Sequence, residues 1–340
     1  MARGVATQNK IVGLYESGTY GAVSGNFWPD LVISHNVEPR EGIIVYPYIG
    51  GVGRDVDRFD VTNINFRGQL VVRPQSMRWL MFALGSNVDA GSPSPYTHVL
   101  STINNDVGNA NTSGTLNPFI SFGIEESNAV PGTGTNFVRT IKGAIVDEFE
   151  LAGEQGQPLT ATINYIATSG AWSSGTPTVF NNFSYGTSST TGSITDRPYI
   201  FNDVVSHIPS GTVFETMTAF KFKTSNHLIE RSYLVGSRND AAPQPDQRDI
   251  LLDLTFDAQS EKWKTLYENY YVGGSSFNAM LFVNASTGSR DNAIILSGCR
   301  ILDPFESPLE VRGINQHVVH IQATSVIGNV NDLLMRYNPW

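Results

Sequence analysis

The sequence predicts an all-β protein of antiparallel strands, with one short helix in each of two tandem domains. Three observations predict this class. Most segments alternate apolar and polar residues, turn-forming residues separate these segments, and only two segments have helical spacing. The 32 glycines and 17 prolines supply frequent turns. The chain has 340 residues, which exceeds the usual span of one hydrophobic core, so two domains are expected.

Four segments show the alternation of half-buried strands most clearly. In each of them the apolar side chains fall on one face and the polar side chains on the other. The apolar faces are Ile64, Phe66, Leu70 and Val72; Leu159, Ala161, Ile163 and Tyr165; Phe220 and Phe222; and Ile250, Leu252, Leu254 and Phe256. Each segment is therefore predicted to cover a core with one face.

Two short segments have apolar residues at i, i+3, i+4 and i+7, which places them on one face of a helix. These stripes are Met77, Leu80, Met81 and Leu84, and Trp263, Leu266, Tyr267 and Tyr270. Ser76 and Ser260 are placed as N-caps, and Gly85 is placed to end the first helix. Trp79 and Trp263 are the predicted helix anchors, packed either in a core or at a contact between subunits.

The parts around the two helices recur in the same order, which indicates a tandem duplication. The matching stretches are 75–79 with 259–263, 141–150 with 296–306, 167–169 with 323–325, and, ahead of the helices, Ser-His-Asn at 34–36 with Ser-Asn-His at 225–227. The stretch from the helix tryptophan to the closing Ala-Thr-Ser is longer in the first copy, from Trp79 to Ala167, than in the second, from Trp263 to Ala323. The first copy therefore holds an insertion.

These repeats define the predicted organisation of the chain. It consists of an N-terminal arm (1–30), a first domain (31–169) with an insertion loop (86–118), a linker (170–197), a second domain (198–326) and a C-terminal arm (327–340). The insertion is rich in Ser, Asn, Gly and Pro. Its removal is expected to leave the fold intact.

Charge and composition exclude several classes of protein. The chain has 22 Lys and Arg against 31 Asp and Glu, a net charge of −9, which argues against a protein that grips phosphate backbones. Cys299 is the only cysteine, so we expect no internal disulfide, no cysteine-based metal site and an inert thiol. No apolar run has the length of a membrane helix, and the N-terminus lacks the apolar core of an export signal. We therefore expect a soluble protein with no membrane partner.

No catalytic, cofactor or metal site is predicted. The glycine cluster at 50–53 lacks the rest of a phosphate-binding fingerprint. His317 and His320 are three residues apart in a strand pattern and therefore point to opposite faces. Paired acids such as Glu125 and Glu126 are abundant, but nothing places a pair across a cleft as a glycosidase requires.

The acids in the duplicated strands form a pattern of their own. Asp147 recurs as Asp303, and Glu150 recurs as Glu306. Duplicated acids indicate a repeated surface in place of a single active site. They are either solvated strand residues or an acidic lining around a shared axis.

A family resemblance rests on diffuse motifs in both copies. The second copy carries Glu230-Arg231, Gly236-Ser237-Arg238, the run from Arg248 to Phe256 and Gly298-Cys299-Arg300-Ile301, and the first copy carries 141–144 and 151–159. Together these parts resemble the tail tube (major tail) proteins of long-tailed, non-contractile bacteriophages. The resemblance implies a sandwich or half-barrel of two antiparallel sheets with a flanking helix. It also implies a structural virion protein with no enzymatic activity and no cofactor.

In that family, single-domain members form hexameric rings, so two tandem copies imply homotrimeric, pseudo-hexameric rings. Such rings stack into a hollow tube that conducts double-stranded DNA without specific binding. The implied partners are further copies of the chain and the tip, terminator and tape-measure proteins of a siphovirus tail, assembled in the host cytoplasm.

The resemblance also assigns surfaces. The stacking elements would be the N-terminal arm and the loops at 46–60 and 235–249, with Gly50, Gly53, Arg54, Gly236 and Arg238 as candidate inter-ring residues. An acidic inner wall repels phosphate and lets DNA slide. Glu148, Glu150, Asp303 and Glu306 are the candidate lumen-facing acids.

Three alternatives remain open from the residues. Another virion structural protein, such as a capsid or head-decoration protein, would share the setting but form shells or spikes. A carbohydrate-binding or adhesin β-sandwich would present aromatic side chains on a flat exposed face. An enzyme on a β scaffold would need a convergent acid and base, which the sequence does not display.

Overall fold

The structure of the chain is a computed structural model. It describes residues 8–17, 27–28, 31–46, 58–90, 96–102, 121–129, 136–170, 172–174, 197–214, 216–231, 241–257, 262–284, 291–306 and 316–332. Strands dominate these residues, and seventeen of the strands join in one antiparallel network. The predicted all-β class is confirmed.

The described residues up to 174, called the first half, contain ten strands and one helix. They are β1 (Gln8–Ser17), β2 (Phe27–Trp28), β3 (Leu31–Tyr46), β4 (Arg58–Arg73), α1 (Trp79–Leu84), β5 (Gly85–Ala90), β6 (Tyr96–Thr102), β7 (Ser121–Ala129), β8 (Asn136–Glu154), β9 (Thr160–Ala167) and β10 (Trp172–Ser174). The second half begins with a 3-10 turn (Phe201–Asp203). Its other elements are β11 (Val204–His207), β12 (Met217–Ser225), β13 (Ile229–Arg231), β14 (Ala241–Gln244), β15 (Asp249–Asp257), α2 (Lys262–Thr265), a π-helix that continues α2 (Leu266–Val272), β16 (Phe277–Asn284), β17 (Asp291–Glu306), β18 (Gln316–Gln322) and β19 (Ser325–Asp332).

One sheet, here called the shared sheet, runs through both halves. Its order is β3–β4–β9–β8–β12–β15–β18–β17, and every pairing is antiparallel. Each half contributes four strands in the same relative order. The halves meet where β8 pairs with β12, from Glu148 opposite Ser225 to Glu154 opposite Ala219.

A second layer packs against the shared sheet in each half. Its order is β1–β7–β8–β10 in the first half and β11–β16–β17–β19 in the second. The strands β8 and β17 belong to both layers. Each has a glycine with positive φ near the change of layer, Gly143 at 63° and Gly298 at 61°. Only glycine adopts this conformation readily, which explains the Gly in both copies of the sequence motif.

The apolar side chains fill the space between the two layers. One continuous core includes Leu70 and Ile163 of the first half and Leu254 and Val319 of the second. The polar residues between these apolar positions, such as Thr162, lie on the other face of the shared sheet. The alternation predicted from the sequence is confirmed for β9 and β15.

The two helical segments lie where their stripes predict but are buried to different degrees. All six residues of α1 are buried, and Gly85 ends it in the left-handed conformation with φ of 91°, as predicted. Ser76 is not the N-cap residue, although its Oγ lies 3.5 Å from the amide N of Arg78. In α2 and its π-helical continuation only Leu266 is buried. Ser260 lies outside the described residues.

The predicted insertion loop is wrong for two stretches. Residues 85–90 and 96–102 form the β5–β6 hairpin, and β6 pairs with β19 of the second half from Ser101 opposite Ile327 to Tyr96 opposite Asp332. Leu100 in this hairpin is fully buried in the core. Removing the insertion would expose that core, so the expectation of an intact fold is not supported. The rest of the insertion, 103–118, lies outside the described residues.

The predicted arms and linker also contain strands. In the N-terminal arm, β1 pairs with β7 over its full length, and in the linker β10 pairs with β8. The C-terminal arm begins inside β19, which pairs with β17. The domain boundaries stay a prediction, since the sheets cross them.

Candidate functional site

The face of the shared sheet that points away from the core carries polar side chains across the junction of the halves. At the junction, Glu148 accepts hydrogen bonds from Lys223 Nζ at 2.5 Å and from Asn164 Nδ2 at 2.8 Å. Burial acts to raise the pKa of Glu148, but the hydrogen bonds from Lys223 and Asn164 outweigh it, so this pKa is lowered. Glu148 is thus held as a carboxylate.

A second acid on this face has a lysine partner of its own. Lys221 Nζ lies 2.9 Å from Glu150 Oε2, and this hydrogen bond raises the pKa of Lys221. One strand further on, Asp253 Oδ1 lies 2.7 Å from His320 Nδ1. The two acids of the first half are therefore each matched by a lysine of the second half, which was not predicted.

Two other candidate lumen acids lie in β17. Glu306 is paired in the ladder with Val318, and Glu150 with Thr162. Thr162 and Val318 precede the two Ala-Thr-Ser motifs by the same number of positions, so Glu150 and Glu306 occupy equivalent places in their halves. The side chains of Asp303 and Glu306 lie outside the described residues. That these four acids face a lumen stays a prediction.

The two predicted helix anchors differ. Trp79 is 1% exposed, and its ring meets Phe122 edge-on at 5.4 Å between centroids. Trp263 is half-buried against the core and stacks on His317, with centroids 4.8 Å apart. His317 and His320 alternate between the buried and the exposed face of β18, as predicted. The inter-ring candidates Gly50, Gly53, Arg54, Gly236 and Arg238 lie outside the described residues.

A polar cluster that sequence reasoning missed lies inside the first half. His35, on β3, contacts Glu126 Oε2 through Nδ1 at 3.0 Å and the Tyr165 hydroxyl through Nε2 at 2.5 Å. The same glutamate forms an ion pair with Arg139 at 3.4 Å. Burial is the main reason that the pKa of Tyr165 is raised. We call His35, Glu126, Arg139 and Tyr165 the polar cluster.

Three members of the polar cluster, His35, Glu126 and Arg139, line a pocket of about 170 Å³, and Trp172 lines it as well. The guanidinium carbon of Arg139 lies 5.5 Å from the Trp172 ring and 5.9 Å from the Phe66 ring, while Nε donates to the Gly170 carbonyl at 2.9 Å. Trp172 itself is 49% exposed. The pocket thus opens at a side of the first half where β3 and β10 are the outermost strands of their layers among the described residues.

Strand register identifies the equivalent places in the second half. His35 lies opposite Leu70, and Phe220 lies opposite Leu254. Leu70 and Leu254 precede the tryptophans of their helices by the same number of positions, so they are equivalent. Phe220 is therefore the equivalent of His35, which replaces the alignment of residues 34–36 with 225–227.

The same argument identifies the equivalent of the tyrosine. Tyr165 lies opposite Gly68, and Ile321 lies opposite Leu252. Gly68 and Leu252 also precede the two helix tryptophans by equal numbers of positions. Ile321 therefore takes the place of Tyr165 in the second half.

The other two members follow from the second layer. Val146 faces Tyr165 and Ile301 faces Ile321, so Val146 and Ile301 are equivalent. Counting back equally far along β8 and β17 makes Ile294 the equivalent of Arg139. Arg139 pairs with Glu126, and Ile294 pairs with Leu281. The polar cluster therefore corresponds to a set of four buried, apolar residues, namely Phe220, Ile321, Leu281 and Ile294.

Gly68 completes this exchange. A Cβ at Gly68 would collide with the Tyr165 ring, whereas its equivalent Leu252 fills the core. The sequence itself signals one part of this exchange, because Tyr165 and Ile321 each lie two residues before an Ala-Thr-Ser motif. In the sequence, Glu126 stands out only as one of two neighbouring acids, Glu125 and Glu126.

The described residues give no sign of other chemistry. They contain no group of three or more His, Cys, Asp or Glu side chains arranged to hold a metal ion. Cys299 is buried, and burial raises its pKa to about 11. No helix within these residues is both long and apolar enough to cross a bilayer.

Comparison with known proteins identifies the family. The family model for phage tail tube proteins matches residues 8–298, which is most of the chain. A search of the curated proteins found no match. The chain belongs to the phage tail tube protein family and is a structural protein of the virion tail.

Proposed function

From this membership we propose that the chain polymerises as stacked rings of three copies into the hollow tail tube through which the phage DNA passes. The two halves would act as two pseudo-equivalent domains derived from a tandem duplication. Three chains then supply six domains to each ring. The proposal includes the tip, terminator and tape-measure proteins as partners, and double-stranded DNA in transit.

The observation that carries the proposal is the junction between the halves. There β8 and β12 join two sets of four strands with the same order into one antiparallel sheet. The strand pairing that joins the halves inside the chain is available to join one copy to the next. The edge of β3 that has no strand partner among the described residues would pair with β17 of a neighbouring copy, as β12 pairs with β8.

The two outer edges of the shared sheet support this arrangement. Among the described residues, β3 pairs only with β4, and the part of β17 in the shared sheet pairs only with β18. Such edges invite further strands. Pro39 and the exposed charges Glu38, Arg40 and Glu41 on β3 restrict which strands can add, as edge strands in soluble proteins commonly do.

The polar face of the shared sheet is the proposed wall of the channel. Lys221 and Lys223 are bound to Glu150 and Glu148, so neither ammonium group is available alone to a passing phosphate. We propose that the wall avoids holding DNA through this pairing as well as through the net negative charge. The candidate acids Asp303 and Glu306 would continue the face in β17. The segments 46–60 and 235–249, the second of which contains β14, are proposed to stack the rings.

Negative-stain electron microscopy of the concentrated protein, followed over days, tests the proposal. Hollow striated tubes or stacked rings with three-fold or pseudo-six-fold symmetry are expected. Closed shells or spikes would favour another virion role. Sedimentation of the same sample provides the control, since a chain that remains monomeric at every concentration would contradict assembly through its own edges.

A further inference from the structure

The junction between the halves involves more than strand pairing, because α1 also crosses it. Leu80 of α1 lies over Gly328 of β19, where a Cβ on the glycine would be 3.5 Å from Leu80 Cδ1. The carbonyl of Ala83, also in α1, accepts a hydrogen bond from Asn226 Nδ2 at 3.0 Å. The helix of the first half thus packs mainly on β8, β5 and β6 of its own half and reaches the second half at Gly328 and Asn226.

Gly328, which α1 contacts in the second half, has an equivalent residue in the first half. Gly328 is paired with Ile294 in the ladder, and Trp172 is paired with Arg139. Because Ile294 and Arg139 are equivalent, Trp172 is the counterpart of Gly328. Within the described residues no helix covers Trp172, and β10 pairs only with β8.

The helix of the second half has the complementary property. Lys264 of α2 is the counterpart of Leu80, because each directly follows the tryptophan of its helix. Leu80 is fully buried, whereas the Lys264 side chain is 61% exposed and 3.6 Å from Glu268. The same segment exposes 40% of Tyr267 and 65% of Val272. An apolar and aromatic surface of this kind is typical of a contact with another protein.

The second half has too few residues after its helix to form an equivalent of the β5–β6 hairpin, which covers the junction inside the chain. The β5–β6 hairpin extends the second layer beyond β19, and it follows directly after α1. In the second half only residues 273–276 separate the π-helix from β16. Among the described residues, the open side of the first half therefore lacks an equivalent cover, and Trp172 with the pocket beside it is accessible.

We infer that α2 and its π-helical continuation in one copy seat on the open side of the first half of the next copy, with Lys264 over the Trp172 ring. A lysine ammonium group on a tryptophan face is a favourable cation–π contact. Tyr267 and Val272 would be covered in the same contact. The contact of Lys264 with Trp172 between chains would thus be the equivalent of the contact of Leu80 with Gly328 inside the chain.

The polar cluster of the first half and the apolar residues at the equivalent places of the second half give the two junctions different chemistry. The junction inside the chain lies beside Phe220, Leu281 and Ile294, and the junction between chains lies beside the polar cluster. A helix that carries a lysine is compatible with the junction between chains, but at the junction inside the chain it would bury a charge among apolar side chains. The second half of one copy would therefore always meet the first half of the next copy. This inference rests on the proposed ring and names the contact that closes it.

Chemical cross-linking tests the contact. The double variant Trp172→Cys/Lys264→Cys, treated with a short bifunctional maleimide at a concentration that gives assembly, is expected to yield covalent dimers and trimers on a denaturing gel. Both positions are exposed, and the buried native Cys299 has a raised pKa and a low reactivity. The matched control is Glu154→Cys/Lys264→Cys, which places the first thiol at the exposed end of β8 in the same half.

The outcomes separate this inference from the proposed function. Linked chains from the first variant and none from the control support the contact. Rings seen by microscopy without linked chains overturn the contact and leave the ring in place. Equal linking of both variants also overturns it. Linked dimers without rings or tubes support the contact but contradict the closed ring, and a chain that is neither linked nor assembled contradicts both.

Discussion

The two halves of the protein have the same strand order but different chemistry at equivalent interior positions. In the second half, Phe220, Leu281, Ile294 and Ile321 form an apolar core. In the first half those places hold His35, Glu126, Arg139 and Tyr165, joined by hydrogen bonds and an ion pair. One backbone arrangement therefore accepts either interior. This difference in chemistry coincides with a difference in cover. Among the described residues, the β5–β6 hairpin of the first half covers the second half, whereas the first half has an open side at β10.

The physical cost of the polar interior explains why all its members change together. A buried arginine requires its carboxylate, and the carboxylate here also binds the histidine. Tyr165 fits only because Gly68 has no side chain. A single exchange toward the other half would leave a buried polar group without its partner. We therefore expect the exchange to be tolerated as a set and to fail one residue at a time.

The largest expected effect comes from breaking this set at one point. Glu126→Leu, which installs the residue of the second half, should lower the free energy of unfolding by about 3–5 kcal/mol, because the Arg139 guanidinium remains buried without its carboxylate. The fivefold variant His35→Phe, Gly68→Leu, Glu126→Leu, Arg139→Ile and Tyr165→Ile should recover most of this loss. Urea denaturation measures both. Glu154→Leu, at an exposed position, is the control and should change stability by less than about 0.5 kcal/mol.

A fivefold variant less stable than Glu126→Leu alone would contradict the comparison. It would mean that further residues of the first half, in addition to these five, are also fitted to the polar side chains.

Substitutions in the two helices test the same comparison, and the larger of their expected losses in the free energy of unfolding is of similar size. Trp79→Ala should cost about 3–5 kcal/mol, because its ring is fully buried beside Phe82 and Phe122. Trp263→Ala should cost less in the isolated chain, because that ring is only half-buried. Denaturation of both variants under the same conditions checks the order. Equal losses would show that α2 is as deeply packed as α1 and would argue against a helix face reserved for another copy.

The smallest effects concern the polar face, where acids of the first half meet lysines of the second. Glu148→Gln/Glu150→Gln should change stability by no more than about 1 kcal/mol, because these ion pairs are partly exposed. It should also release both lysines, so that duplex DNA is retained in a gel-shift assay at low salt. Lys221→Gln/Lys223→Gln is the matched control and should not retain DNA. Retention by the control alone would contradict the role proposed for the pairs.

The lowered pKa of Glu148 fixes the sign of one pH dependence. A carboxyl group whose pKa is lower in the folded protein stabilises the fold above its unfolded pKa, and this contribution is lost as the pH falls through the folded value. The stability advantage of the natural chain over the Glu148→Gln variant should therefore shrink on acidification. A denaturation series from neutral to acidic pH, with each variant measured in parallel, follows the difference.

The sequence by itself determined the features that depend on neighbouring residues. Alternation along β9 and β15 placed Leu254 and Ile163 in a core, and helical spacing placed α1 and its end at Gly85. Diffuse motifs in both halves also resembled the phage tail tube family, and the match over residues 8–298 shows that membership. These signals are local, because side-chain direction in a strand or helix follows from residue spacing alone.

Only the tertiary structure decided which strands and side chains meet. Periodicity marks a strand but not its partner, so the pairing of β6 with β19 turned an apparent loop into part of the core. The contact of Glu148 with Lys223 depends on the register of β8 against β12. The polar cluster likewise joins residues from four strands and both layers. Contacts between residues far apart in the chain are set by how the layers close over one another, and no local pattern encodes that closure.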